Sequence, residues 1–94
     1  MKTLPKTVKV VEVPNEGLVS LMGKQVEIRG VVYIMAGTLI GVNDECIKLD
    51  NAAIVYETGE HTSKSYKDAQ RTENPQQYFM KSAIESFGES SKKY

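Results

Sequence analysis

The chain has 94 residues, of which 12 are lysine or arginine and 12 are aspartate or glutamate, so its formal net charge is zero. This length supports one small domain, and the lack of a basic excess weighs against strong nonspecific binding to nucleic acid, although charge can still be segregated by face. A single cysteine, Cys46, excludes an internal disulfide, and no apolar run is long enough for a signal peptide or a membrane span, so we expect a cytoplasmic protein.

Residues 1–24 are expected to form an N-terminal strand, a turn and a short helical segment. Residues 7–13 have strand composition, and the Pro-Asn-Glu-Gly sequence at 14–17 is typical of a turn. The apolar cluster at 18–22 is too short for an independent helix. It therefore predicts one helical turn packed over the end of a barrel.

Apolar and polar residues alternate with a period of two from Gln25 onward. Val26 and Ile28 alternate with charged residues, which fits a strand with one buried face, and the same phase continues past Gly30 to Ile34. Residues 38–42 are again extended in character. The glycines at positions 37 and 41 predict a bend or bulge, where a small sheet curls onto itself.

Two turn signals divide the rest of this region. Residues 43–44, Asn-Asp, predict a first turn, and residues 50–51, Asp-Asn, predict a second one. Between them, residues 46–49 alternate as a short strand, and residues 52–56 are the return strand. Four short, tightly connected strands predict that residues 25–59 form the core of a small barrel.

The C-terminal third combines a polar connection with a predicted helix. Residues 60–73 lose all apolar periodicity and predict a solvated connection. Residues 74–88 predict a helix, with Asn74 as N-cap, Pro75 at the first helical position and Gly88 as the stop. Its apolar stripe consists of Tyr78, Phe79, Ala83, Ile84 and Phe87. The tail after Gly88 is expected to fray.

Catalytic and metal-binding motifs are not evident in the sequence. Cys46 and His61 are the only candidates for a nucleophile and a base, and no local motif brings them together. One histidine and one cysteine cannot complete a structural zinc site, and the acidic residues near the turns lack the pattern of a calcium loop. We therefore expect no enzyme activity, no metal and no cofactor.

The return strand predicts contact between subunits. It is apolar and contains neither lysine nor proline, the residues that protect an exposed edge from pairing with another chain. The predicted interface consists of Ala53, Ile54, Val55 and Tyr56. In the alternative interpretation, the N-terminal strand or the C-terminal helix covers this edge within one chain.

Four motifs between about residues 18 and 57 resemble the Sm-like family, which includes Sm, LSm and Hfq proteins. The chain as a whole also resembles small Sm-like proteins encoded by phages, a resemblance that these motifs do not carry. The first two are Leu18-x-x-Leu21-x-Gly23-Lys24-x-Val26-x-Ile28 and Gly37-x-Leu39-x-Gly41-Val42-Asn43. The other two are Cys46-Ile47-Lys48-Leu49-Asp50-Asn51 and Val55-Tyr56. Their order matches the family's entry helix and its first four strands, and the spacing between the first two strands is one residue short.

The resemblance implies a fold and an assembly. The fold is a small, strongly bent, open barrel of the Sm-like (SH3-like) type with five strands after an N-terminal helix. Family members pair the fourth strand of one subunit with the fifth strand of the next and form rings. We therefore expect the chain, residues 1–94, to be a single Sm-like domain that forms a homo-oligomeric ring of five to seven subunits.

Several positions depart from the family pattern. Val31-Val32-Tyr33 stands where the family has a polar turn, and Ile47 occupies the asparagine position of Sm proteins. Glu57-Thr58 stands where Hfq proteins carry a Lys-His pair at the fourth strand. The polar connection supplies no fifth strand, and a C-terminal helix is not the usual family ending.

The resemblance also implies RNA binding, because the loops after strands two and four line the ring's pore and bind RNA in family members. We expect bases to be bound by Asn43, Asp44 and Tyr56, and phosphates by Lys48, Lys64, Lys67 and Arg71. Residues 25–59 carry two basic and five acidic side chains, which predicts weak, salt-sensitive binding. The alternatives are a protein–protein scaffold without RNA binding, an OB-type barrel that binds single strands, and a small-ligand barrel.

Overall fold

The computed structural model describes residues 17–94 as one open antiparallel sheet of six strands, and this part of the chain contains no α-helix. The strands are β1 (Gln25–Gly30), β2 (Ile34–Val42), β3 (Cys46–Glu57), β4 (Asp68–Arg71), β5 (Gln77–Met80) and β6 (Ile84–Glu89). A first 3-10 turn, Leu18–Leu21, precedes β1, and a second, Lys81–Ala83, joins β5 to β6. The predicted mainly β fold is confirmed, and the strand predicted at 7–13 lies outside the described residues.

Strand β3 is the centre of the sheet. The strand order is β4-β3-β2-β1-β6, and β5 also pairs with β3. One side of β3 pairs with β2 along nearly its whole length. On the other side, its first half (residues 46–49) pairs with β5 and its second half (residues 53–57) pairs with β4. One strand therefore supports three neighbours.

The turn predicted at residues 50–51 is wrong, because β3 continues through both residues. Asn51 has a φ of 51°, in the left-handed region that asparagine tolerates better than most residues. This conformation bends the strand without reversing it. The bend separates the half of β3 that pairs with β5 from the half that pairs with β4.

The beginning of the sheet follows the sequence pattern more closely. The predicted helical turn is confirmed at Leu18–Leu21, where both leucines pack against the core. Strand β1 ends at Gly30, earlier than the predicted continuation to Ile34, because the Gly30 N–H donates to the Tyr33 carbonyl at 2.9 Å and closes a turn. Strand β2 shifts register near both predicted glycines.

The main core lies between the first 3-10 turn and the inward face of the sheet. Five large side chains are fully buried: Val26, Ile28, Leu39, Ile47 and Leu49. They come from β1, β2 and β3, whose alternation turns one face inward. Phe79 of β5 and Ile84 of β6 pack against the same cluster.

The predicted C-terminal helix is wrong. Residues 74–88 contain β5, the second 3-10 turn and β6 instead. The Asn74 side chain accepts a hydrogen bond from the Gln76 N–H at 3.1 Å, as an N-cap would, but no helix follows. Phe79, Ala83 and Phe87 recur every four residues and so resemble helical spacing, whereas Phe79 and Ile84 face one core from two strands. Pairing with distant strands overrides this local pattern.

The connection and the tail are also more ordered than the sequence predicts. The polar connection contains β4 and the buried ring of Tyr66. The tail does not fray: the Tyr66 N–H donates to the Lys93 carbonyl at 3.0 Å, and the Lys93 N–H donates to the Lys64 carbonyl at 2.9 Å. Tyr66 forms a second cluster with Ala36, Val55, Ile34, Ala69 and Tyr94.

Hydrogen bonds from two phenols hold this second cluster, which we call the tyrosine cluster. The Tyr66 hydroxyl donates to the Glu27 carboxylate at 3.0 Å and lies 2.9 Å from the Ser90 hydroxyl. Burial raises the pKa of Tyr66 to about 12. The Tyr94 hydroxyl donates to the Asn51 carbonyl at 2.8 Å, which ties the tail to the bend of β3. Burial raises the pKa of Tyr94 as well.

Candidate nucleic-acid interface

The residues predicted to bind RNA lie at two separate ends of β3. Asn43, Asp44 and Lys48 are at its beginning, and Tyr56, Lys64, Lys67 and Arg71 are beyond its bend. Lys48 and Tyr56 are eight residues apart in β3, at most about 26 Å at roughly 3.3 Å per residue, and Arg71, which pairs with Ala53, lies nearer to Lys48 than that. The structure does not bring the predicted set into one site.

Three connections meet near the beginning of β3. The Lys81 N–H of the second 3-10 turn donates to the Glu45 carbonyl of the β2–β3 turn at 2.8 Å. At the other end of the same 3-10 turn, the Ala83 carbonyl accepts from the Val31 N–H of the β1–β2 turn at 3.0 Å. We call these three connections, residues 31–33, 43–45 and 81–83, the convergent end.

Asn43 shapes the β2–β3 turn. Its side-chain oxygen accepts hydrogen bonds from the Glu45 and Cys46 N–H groups, both at 2.8 Å, and its own N–H donates to the Cys46 carbonyl at 2.9 Å. The turn predicted at residues 43–44 is therefore confirmed. Because the oxygen is committed to the turn, the amide N–H groups of the Asn43 side chain are the part that can donate to a base or phosphate.

The convergent end and the adjoining Lys48 together carry balanced charge. Asp44 and Glu45 lie in the exposed β2–β3 turn, and Lys81 begins the second 3-10 turn. Lys48 lies nearby in β3, where its ammonium nitrogen is 5.2 Å from the ring centroid of Tyr78 on β5. Two basic and two acidic side chains permit local contact with a phosphate without creating a strongly positive surface.

Lys81 and Tyr78 are functional candidates that sequence reasoning missed. Both lie within residues 74–88, and the helix predicted there places neither of them near the β2–β3 turn. The signal that identifies them is the strand character of residues 77–80, followed by a lysine at the strand's end. Pairing of β5 with the first half of β3 places Tyr78 opposite Lys48 and brings Lys81 to Glu45 in the β2–β3 turn.

Two of the four residues in the second group of predicted RNA ligands contact other groups within the chain. The Lys67 ammonium lies 3.4 Å from the Glu57 carboxylate. The Arg71 guanidinium lies over the Tyr94 ring, 5.7 Å from its centroid, and donates to the Tyr94 main-chain oxygen at 3.3 Å. Tyr56 is exposed at the end of β3. These contacts make the convergent end the better candidate for phosphate binding.

The predicted subunit interface is not an open edge. Ala53, Ile54 and Val55 pair with residues of β4, and Ala53 and Val55 are buried. Residues 52–56 are therefore not an open edge, and that prediction is wrong. The strand that covers them is β4 of the polar connection, and not the N-terminal strand or the C-terminal helix of the alternative interpretation. Tyr56 is the only one of the four predicted interface residues with an exposed side chain.

Three strands leave an edge unpaired among residues 17–94, and one of them is β4, which pairs only with β3 in that range. Strand β5 pairs only with β3 in this part of the chain, and β6 pairs only with β1. Phe87 of β6 lies opposite the fully buried Ile28, yet it is 42% exposed. An aromatic residue opposite a core residue remains accessible because no described strand lies beyond β6.

A polar cleft beside β1 and β6 contains the only histidine of the chain. Its walls include Glu27, Arg29, His61 and Lys92, and Cys46 is not among them. The Arg29 Nε–H donates to Glu27 at 2.8 Å, and the Lys92 ammonium donates to two main-chain carbonyls. Two of the three basic groups in this cleft are thus used in internal contacts.

No group of three or more histidine, cysteine, aspartate or glutamate side chains is placed to hold a metal ion in residues 17–94. Helices of the length and apolarity that crossing a bilayer requires are also absent from the described residues.

Comparison with known proteins gives no relative. No family model, no curated protein and no solved structure matches this chain.

Proposed function

We propose that the protein is an Sm-like, ring-forming protein that binds single-stranded RNA at the convergent end. The observation that carries this proposal is the placement of β5 and β6. These consecutive strands are joined by a 3-10 turn but lie on opposite sides of the sheet, one on β3 and the other on β1. Each has an outer edge with no partner strand among residues 17–94.

Pairing between these two edges favours a ring. The outer edges of β5 and β6 are different surfaces, so contact between β5 of one copy and β6 of another is head-to-tail. Head-to-tail contacts close into rings when the rotation per subunit divides a full turn. Each contact would satisfy main-chain groups on both strands and cover the exposed ring of Phe87.

The family resemblance supports the same pairing. Without β4, which lies inside the polar connection, five strands follow a short helical turn, as the resemblance implies. Strands β5 and β6 then take the places of the fourth and fifth family strands, which pair between subunits. The Tyr-Lys-His motif of Hfq falls on Met80-Lys81-Ser82, so the lysine is kept. This assignment replaces the one at Glu57-Thr58.

RNA binding at the convergent end follows from the same correspondence. The loops after the second and fourth family strands are the β2–β3 turn and the second 3-10 turn, which are bonded to each other through Glu45 and Lys81. We propose that Lys81 contacts a phosphate and that the Asn43 amide contacts a base edge. Asp44 and Glu45 offset part of this attraction, so binding is expected to weaken steeply as salt rises.

Light scattering on a sizing column tests the ring. We expect a fixed multiple of 10.5 kDa, between five and seven, across protein concentrations. Phe87→Asp places a charge at the proposed contact and should release smaller species, whereas Val32→Asp, at a position that is 77% exposed on the β1–β2 turn, should assemble normally. A wild-type monomer at high concentration would overturn the proposal, as would unchanged assembly of folded Phe87→Asp.

A binding titration tests the RNA site. Wild-type protein is titrated with oligo(U) and oligo(A) at two salt concentrations, beside Lys81→Ala and a Lys64→Ala/Lys67→Ala control from the other end of β3. We expect Lys81→Ala to weaken binding and to reduce its salt dependence, while the control keeps the wild-type affinity. No binding at low salt by an intact ring would contradict the RNA proposal and favour the protein–protein scaffold.

A further inference from the structure

We propose that the outward face of β5 and β3 is a base-stacking platform that extends the RNA site of the convergent end, with Tyr78 as the residue on which an unpaired base stacks. The inference rests on the proposed RNA binding and adds a ligand class, single-stranded bases bound without regard to their identity. We call this surface the outer strip; it consists of Gly41, Cys46, Lys48, Tyr78 and Met80.

The sheet register places these residues on one face. Lys48 is the pairing partner of both Gly41 on β2 and Tyr78 on β5, and Cys46 pairs with Met80 in the neighbouring row. The alternate residues Ile47 and Phe79 pair with each other and pack into the core. Because successive strand residues point to opposite faces, the outer strip faces away from the core.

Tyr78 has the exposure that stacking requires. Its side chain is 66% exposed, and the Lys48 ammonium lies over its ring at 5.2 Å from the centroid. Because the cation covers one face of the ring, a base would stack on the opposite face, with the ammonium close enough to meet its phosphate. Aromatic stacking combined with a neighbouring positive charge is the usual way in which proteins hold single strands without reading their sequence.

Neighbouring residues give the strip a direction. Gly41 has no side chain, so no β2 side chain projects beside Lys48 on this face. A Cβ at Gly41 would lie 3.3 Å from the Lys48 Cβ. Asp50 is on the same face beyond Lys48 and disfavours a phosphate at that end. In the opposite direction Met80 leads to Lys81. A single-stranded RNA with one base stacked on Tyr78 would therefore continue toward the convergent end.

Ring assembly leaves this platform accessible. Strand pairing between subunits joins main-chain edges within the plane of the sheet, whereas the side chains of the outer strip project out of that plane. Burial of the β5 edge therefore does not require burial of the Tyr78 ring.

A single tryptophan provides the direct test, since the chain contains none. Tyr78→Trp places an indole on the platform, and Tyr56→Trp, at a position that is 58% exposed near the far end of β3, is the matched control. We expect oligo(U) and oligo(A) both to quench the fluorescence of Tyr78→Trp along the binding curve. The control should show no quenching.

Affinity measurements complete the test. Tyr78→Ala should weaken binding about tenfold, while Tyr78→Phe should keep the wild-type affinity because stacking needs only the ring. If wild type binds RNA but Tyr78→Trp is not quenched, the inference is wrong and the proposed function stands. If an intact wild-type ring binds no RNA at low salt, the proposed function and this inference are both wrong. If Tyr78→Ala alters assembly, the fluorescence quenching of Tyr78→Trp alone decides whether a base stacks at this position.

Discussion

The two halves of β3 are held in place in different ways. In the first half, Ile47 and Leu49 are fully buried in an aliphatic core, and β5 covers the edge. In the second half, Val55 packs on Tyr66 and β4 covers the edge. The first half depends on aliphatic burial, and the second depends on aromatic rings whose hydroxyls are hydrogen-bonded.

This difference shows how a small domain can extend a sheet beyond its main core. Aliphatic side chains need neighbours on all sides, whereas a tyrosine can bury its ring and still place its hydroxyl on a polar partner. The Tyr66 hydroxyl meets Glu27 and Ser90, and the Tyr94 hydroxyl meets the bend at Asn51. The polar connection and the tail are thereby attached to β3 with little aliphatic surface.

Leu49→Ala should have the largest effect, because it removes a fully buried side chain from the aliphatic half. Such truncations cost about 2–5 kcal/mol through lost burial and the cavity left behind. Urea unfolding at one protein concentration measures the loss, and Val32→Ala on the exposed β1–β2 turn is the control. A loss below about 0.5 kcal/mol would mean that this half does not depend on aliphatic packing.

Alkaline pH should selectively weaken the tyrosine half. Burial raises the pKa of Tyr66 from its ordinary value of 10.0 to about 12, so the folded protein holds this proton more tightly than the unfolded chain. Stability is therefore full below pH 10 and falls as pH rises from 10 to 12, by about 2–3 kcal/mol at roughly 1.4 kcal/mol per pKa unit. Unfolding measured at pH 9 and pH 11 should show this slope.

The control for that slope is Tyr66→Phe. Most of the pH dependence in this interval should disappear in the variant, and a smaller part should remain because burial also raises the pKa of Tyr94. An unchanged slope in Tyr66→Phe would show that the buried phenol is not its source.

Gly30→Ala should destabilise the aliphatic half by crowding rather than by a cavity. A Cβ at this position would lie 2.6 Å from the ring of Phe79 and 2.9 Å from the Ala83 carbonyl oxygen. Overpacking of this kind costs about 1–3 kcal/mol. Gly88→Ala is the matched control, because a Cβ there meets no atom within 4 Å. Equal melting temperatures for the two variants would contradict the close contact at Gly30.

Arg71→Ala should have the smallest effect, in the tyrosine half. It removes a cation that lies over the exposed side of the Tyr94 ring, an interaction worth about 0.5–1 kcal/mol at such sites. Thermal unfolding at low and high salt measures it, with Lys64→Ala as the control. A loss of several kcal/mol would mean that Arg71, rather than the two phenols, holds the tail.

The sequence predicted the parts of the fold that local alternation encodes. Strand β1, the β2–β3 turn and the 3-10 turn at Leu18–Leu21 all follow from apolar spacing and turn residues. Strands β4, β5 and β6 did not, because each is specified by a partner far away in the chain. Between residues 77 and 89, the four-residue spacing of Phe79, Ala83 and Phe87 also fits a helical period, and local preference could not separate the two interpretations.

The candidate site was predictable in part. Asn43, Asp44 and Lys48 lie at or beside the convergent end, as the resemblance led us to expect. Lys81 and Tyr78 were missed because their segment was assigned to a helix. Lys64, Lys67 and Arg71 were chosen for charge alone, and sequence does not reveal that Lys67 and Arg71 contact groups within the same chain.

The pairing of β6 with β1 has a consequence for how quickly the protein folds. Val26 pairs with Glu89, so the two strands must meet across about sixty intervening residues before the Ile28 side of the core is covered. Ordering so much chain before the contact forms carries a loop-closure cost, and sheets dominated by such contacts fold in milliseconds to seconds rather than microseconds. Until β6 arrives, the edge of β1 remains available to other chains, and this interval is when the protein is most prone to aggregation.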